Sequence, residues 1–274
     1  MARRKSPQEI KSILKLIPND SETVLVGGHA INLWAIAYRD DIPELENYLP
    51  FSSEDLDFLG GKIEAVELQE RLGGTLTFPE SFSPSPNTAI LTTQIGKDKL
   101  RIDFLGNVFG LDTEQVASSA IAFESEKLEG VRIKVLNPIL CLGGKLRSYT
   151  GLPQDGRQDK KHLQIAILIA RQYTKKVCLF NQPRDGLRLV EHLAKLAKSE
   201  AGLKVWQQDR IDLLQTIPQE TITLLEKEKW QKFKQIRLPQ IVNDIATKRE
   251  RYQKIVEERQ SRRREIKREN EQDR

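Results

Sequence analysis

The hydrophobic period of this chain changes once, and that change limits the folds open to it. Up to about residue 136 the apolar residues come in short β-branched or aromatic runs, punctuated by glycine and proline. From Pro138 onward they recur at helical spacing over long segments. Runs of strands followed by runs of helices indicate an α+β fold continued by a helical part. The expected division is an α+β domain over residues 1–136, a helical domain over 137–247, and a basic, charged C-terminal helix or tail over 248–274. No internal repeat interrupts this order.

Within the first part, Ile10, Ile13, Leu14 and Ile17 mark a helix, with Ser6 as N-cap and Pro7 in its first turn. Strands are expected at 23–26, 56–59 and 75–78, and as a hairpin at 89–95 and 100–105. Two further strands fall near 120–123 and 131–135. Helices are expected at 30–37 and 64–72, the second stopped by Gly73-Gly74. Residues 39–53, with Pro43 and Pro50, read as an inserted loop, and 79–87 as a Ser/Pro loop. In the second part helices are expected at 138–149, 159–172, 185–198, near 203–216, 219–235 and 239 to about 266.

Composition excludes some classes of function. No apolar run is long enough to cross a membrane, and the basic start lacks the apolar stretch of a secretory signal. Cys141 and Cys178 each lie in an apolar run and read as buried free thiols in a reducing cytoplasm. Three histidines without paired Cys/His spacing argue against structural zinc. The net charge of +5 suits an anionic partner such as a nucleotide or RNA. From residue 248 on, eleven Lys/Arg face seven Asp/Glu, and past Val256 only Ile266 is apolar. That pattern describes a solvated helix, or a basic arm for RNA phosphates.

The residues that carry chemistry begin at Gly27-Gly28. Paired glycines between a strand and a helix let backbone approach a phosphate, and the helix N-terminus adds free N–H groups. Next comes Ser52-Ser53-Glu54-Asp55-Leu56-Asp57-Phe58. On a strand, Asp55 and Asp57 share one face while Leu56 and Phe58 share the other. Two adjacent carboxylates repel, so holding them together calls for a cation, and Mg²⁺ with substrate phosphates fits. Asp103, flanked by Ile102 and Phe104, supplies a third acid if its strand lies beside that of Asp57. Three converging carboxylates suit two-metal phosphoryl chemistry. His29 follows the glycines and reads as a packing residue or a phosphate contact. His162, His192, Trp34, Trp206 and Trp230 read as helix packing or surface residues.

A Gly-Gly turn, an acid-x-acid strand and a later single acid resemble the nucleotidyltransferase superfamily with the DNA polymerase β-like fold. Val26 to Trp34 and Ser53 to Phe58 are similar to its AbiEii-type branch, which includes toxins of bacterial abortive-infection and toxin–antitoxin systems. Val135-Leu136-Asn137-Pro138 with Lys145-Leu146, then Arg157 to Leu163, resemble that branch's lysine and its Arg/Asp helix start. The resemblance covers roughly residues 20–172 and implies a mixed sheet with flanking helices. It further implies that Gly27 and Gly28, assisted by Ser52 or Ser53, hold nucleotide phosphates, that Asp55 and Asp57 bind Mg²⁺, two ions in all, and that Asp103 is the third ligand or the base. Lys145 would sit near the triphosphate, and Asp159 would order the helical side of the cleft. The implied activity moves an NMP from an NTP to a hydroxyl acceptor, RNA or tRNA among the candidates, in a toxin with an antitoxin partner. The longer stretch from Gly28 to Asp55 departs from the family pattern. The alternative is a catalytically silent binding or regulatory protein on the same fold.

Overall fold

Short β-branched strands that bury one or both faces, separated by helix-forming segments, assemble here into one mixed sheet. The computed structural model describes residues 3–80 and 85–272, without the side chains of 266–269 and 271–272. Part of the expected Ser/Pro loop, 81–84, and the side chain of Ile266 therefore lie outside the described residues. The chain divides into two compact units, residues 1–173 and 174–274.

The first unit opens with α1 (Pro7–Leu14), where Ser6 and Glu9 form a reciprocal capping box. Then come β1 (Val24–Val26), α2 (Gly27–Tyr38), β2 (Leu56–Leu59), α3 (Lys62–Leu72), β3 (Thr75–Thr77), β4 (Asn87–Ile95) and β5 (Asp98–Leu105). α4 (Thr113–Ser118), β6 (Ile121–Phe123), β7 (Ile133–Val135) and α5 (Pro138–Gly151) follow. α6 (Asp159–Phe180) begins in this unit and runs past its end. The seven strands lie in the order β3-β4-β5-β2-β1-β7-β6. β2 pairs parallel with β5, and β1 parallel with β7; the other neighbours are antiparallel. The fold is thus α+β, a seven-stranded mixed sheet with flanking helices and a helical C-terminal region.

Several local expectations shift in detail. α2 starts at Gly27 itself, not Ala30, because the backbone turns straight from β1 into the helix. The segment 39–53 holds a 3₁₀ helix, Pro43–Tyr48, anchored by the buried Leu45. β4 takes in Asn87, which the Ser/Pro pattern assigns to the loop. α4, N-capped by Asp112, has only one apolar anchor, Val116, and so gives no helical period to read. The first unit ends at Tyr173 rather than near 136. α5 explains this: it packs on α2 and buries Ile139, Leu140, Cys141, Leu142 and Leu146. A change of period marks where strands stop, not where the core stops.

The second unit contains α7 (Pro183–Ala197), α8 (Glu200–Asp209), α9 (Gln219–Leu224), α10 (Glu228–Lys232) and α11 (Leu238–Gln272). The expected helix 219–235 is broken, with Leu225 extended and a π-turn at Phe233–Arg237. α7 carries Val190, Leu193, Ala194 and Ala197 on one buried stripe. Ile241 and Ile245 of α11 are fully buried, whereas residues 257–265 are all exposed. Arg249 of α11 lies over the Trp206 ring and pairs with Asp212. Cys141 and Cys178 are buried free thiols. Among the described residues no helix is long and apolar enough to cross a membrane.

Candidate functional site

Alternation along two neighbouring strands gathers the acids. The parallel register sets Asp57 of β2 directly opposite Asp103 of β5, so both side chains leave the same face of the sheet. Leu56 and Phe58 pair with Ile102 and Phe104 on the other face, all at most 1% exposed. A slip of one residue would bury the carboxylates and expose these apolar side chains, so the core fixes the register. Asp55 lies in the bend just before β2. It lines the same cavity as Asp57 and Asp103, a space of about 520 Å³.

The β1–α2 junction forms another wall. Among the described residues no side chain caps α2, so its first N–H groups are open. Gly27 has φ +66°, and a Cβ there would stand 2.1 Å from Asp57 Oδ2. A Cβ on Gly28 would stand 2.4 Å from Ser53 Oγ and 2.8 Å from His162 Cε1. Only glycines let this backbone close on the acids. Gly28, Ser53, Asp55, Asp57, Asp103, Lys145 and Asp159 all line the cavity, while Gly27 sits behind Asp57.

The acids are not equivalent. Asp55 and Asp57 accept no hydrogen bond among the described residues. Burial first, then the neighbouring Asp103, pushes the Asp57 carboxyl up to about 7, and the same two causes raise Asp55. Asp103 is instead engaged: its carboxylate accepts from Arg101 Nε at 2.8 and 3.0 Å and from Asn87 Nδ2 at 2.7 Å. Asp159 is also engaged, 2.7 Å from Lys145 Nζ and 2.6 Å from Arg157 Nε. Burial opposes its ionisation, but Lys145 and Arg157 outweigh burial and hold its carboxyl below the usual range. Lys145 and Asp159 therefore meet each other across the cavity wall.

Glu54, Asp55, Asp57, Asp103, Asp155 and Asp159 line the cavity, against the bases Arg4, Lys145 and Arg157. An anionic ligand would enter this acidic space only with a cation. The donor set suits a hard divalent ion: Asp55 and Asp57 offer unengaged carboxylate oxygens, and Asp57 carries an uncompensated buried charge once ionised. Among the described residues no three His, Cys, Asp or Glu side chains are drawn together as a ready ligand set. The two free acids fit one ion; Asp103 joins a ligand set only if Arg101 yields.

Four further residues belong to the site. Arg101 stands two residues before Asp103 on one strand, a same-face signal that was readable. Asn87 lay beyond the expected strand end. His162, expected on a helix surface or in packing, is packed at 3% exposure, and it also lines the cavity with Nε2 3.3 Å from the Ser52 carbonyl oxygen. Burial, then Lys145, pushes its imidazole down to about 3. Arg4 reaches the cavity from a terminal segment with no sequence signature. His29 is wholly buried and, among the described residues, neither its ring nitrogens nor the Asn32 amide has a hydrogen-bond partner; neither residue lines the cavity.

No family model matches this chain, and no curated protein does. Among solved structures the chain is similar to the crystal structure of JHP933 from Helicobacter pylori, at 16% identity, over 92% of this chain and 95% of that one. The TM-score is 0.36.

Proposed function

We propose that the chain is a Mg²⁺-dependent nucleotidyltransferase that moves an NMP from an NTP to a hydroxyl acceptor. The observation that carries this reading is the pair of unengaged acids, Asp55 and Asp57, facing Asp103 in one cavity beside the uncapped start of α2. Asp55 and Asp57 hold the cation, which supplies charge neutralisation for the triphosphate and the developing pyrophosphate. The open N–H groups after Gly27 donate to phosphate oxygens at the positive end of the helix dipole. Ser53 Oγ, packed against Gly28, donates to the same phosphates. Asp103 receives the proton of the attacking hydroxyl at a carboxylate oxygen, for which Arg101 must release it. Lys145 and Asp159 brace the wall opposite and keep that side charge-balanced.

RNA, a tRNA end in particular, is the proposed acceptor, on the strength of the basic composition. A toxin role with an antitoxin partner, in the cytoplasm, completes the reading. The test is label transfer from each α-labelled NTP with Mg²⁺ to RNA, protein extract or small hydroxyl compounds. Transfer to one acceptor class, abolished in Asp55→Ala/Asp57→Ala, is the expected result. No transfer and no NTP binding would refute it. The engagement of Asp103 by Arg101 and Asn87 favours a second reading, a silent nucleotide-binding or regulatory protein. Calorimetric NTP binding without transfer to any acceptor would select that reading.

A further inference from the structure

We propose that Arg4 is an anion-binding residue of this cavity, taking a phosphate oxygen of the bound polyphosphate from a terminal strap. The proposal rests on reading the cavity as a nucleotide site. Three cations line the space, Arg4, Lys145 and Arg157. Two of them are committed to Asp159, at 2.7 and 2.6 Å. Arg4 makes no ion pair among the described residues. Its guanidinium donates only to neutral oxygens: the Gly156 carbonyl at 3.0 Å and, with the Gln158 amide turned to donate to Ser52, the Gln158 carbonyl at 2.8 Å. An incoming phosphate therefore meets one cation that gives up no carboxylate on binding it. Charge-assisted bonds to phosphate are the strong kind, and the fork of the guanidinium suits two oxygens.

The strap is held in place rather than left to wander. Lys5 and Ser53 exchange backbone hydrogen bonds at 2.8 and 3.0 Å, tying the strap to the segment that leads into Asp55. The Lys5 side chain is fully buried with Nζ 2.9 Å from Asp98 Oδ2, and Arg3 reaches the same carboxylate from outside at 2.6 Å. Burying a lysine is costly unless it is paired, so the strap has one strongly preferred position, and Arg4 between these anchors points where the anchors put it. Lys161 adds to the local field: burial and then Arg4 push its ammonium below the ordinary range. Its Nζ donates to the Pro50 carbonyl oxygen at 2.8 Å, so it too is held by a neutral partner.

The experiment is calorimetry of the full chain with inorganic tripolyphosphate in Mg²⁺ buffer, comparing wild type, Arg4→Ala, Arg4→Lys and Arg132→Ala. Arg132 pairs with Glu124 on the surface and controls for loss of one charge. The expected result is binding about tenfold weaker in Arg4→Ala, partly restored in Arg4→Lys and unchanged in Arg132→Ala. Thermal melts should coincide, since Arg4 is exposed. Equal affinity of wild type and Arg4→Ala would overturn the role of Arg4 and leave the nucleotide site standing. Failure of wild type to bind tripolyphosphate would overturn both.

Discussion

Asp57 sets the electrostatic character of the site. Its carboxyl is pushed up to about 7, so the folded protein holds this proton more tightly than the unfolded chain, whose value is 3.8. Below pH 4 the group is neutral in both states and costs nothing. As pH rises from there toward 7, the unfolded chain releases this proton while the folded state retains it, so stability falls, and the loss levels off once the folded group ionises near 7. Asp57→Asn removes that loss. In chelator-treated protein the variant is expected to be more stable than wild type at pH 8, by on the order of 3 kcal/mol, with the gap closing toward pH 4. Denaturant unfolding at the two pH values checks this. Equal stability at pH 8 would mean that the Asp57 carboxylate is already compensated.

At the scale of elements, the site is a junction between a strand and a helix that glycine alone can close. Gly27 combines a left-handed backbone with a Cβ position occupied by the Asp57 carboxylate. Gly27→Ala is expected to destabilise by on the order of 2 kcal/mol, from backbone strain and the displaced acid together. The two parts separate in a double-mutant cycle with Asp57→Ala. Part of the Gly27→Ala cost should vanish when the carboxylate is gone, leaving the strain. Strict additivity would show that Asp57 does not press on this turn. The β2–β5 pairing acts at the same scale. Its apolar face is a close Phe58–Phe104 contact, ring centroids 5.8 Å apart, which holds Asp57 opposite Asp103.

At the scale of the whole molecule, the chain is two compact units, and the second contains a long helix, α11, that is packed through Ile241 and Ile245. Residues 257–265 of α11 are exposed throughout. A chain ending at Val256 is expected to match full-length stability within about 0.5 kcal/mol. Ending at Thr247 instead removes Arg249 from Asp212 and from the Trp206 ring. That truncation is expected to cost on the order of 2 kcal/mol. Thermal melts of the two truncations give the comparison. Equal loss from both would mean that the distal half of α11 contributes to folding.

The sequence by itself determined what depends on local periodicity and local chemistry. The α+β class, the strand Leu56–Leu59 and the helix start at Ser6-Pro7 follow from alternation and capping, which involve residues a few positions apart, whereas Asp55 lies in the bend before that strand and shares only its cavity with Asp57. Tertiary structure decided the rest. That β2 pairs with β5 in parallel, so that Asp57 meets Asp103, depends on strand order, which no local pattern encodes. The commitment of Asp103 to Arg101 and Asn87, and of Lys145 to Asp159, arises only once strands and helices have packed. The same holds for Arg4, which reaches the cavity because residues 5 and 53, far apart in the chain, hydrogen-bond as neighbours. Contacts across long loops are chosen by burial of the whole core, so a site assembled from them exists only in the folded chain.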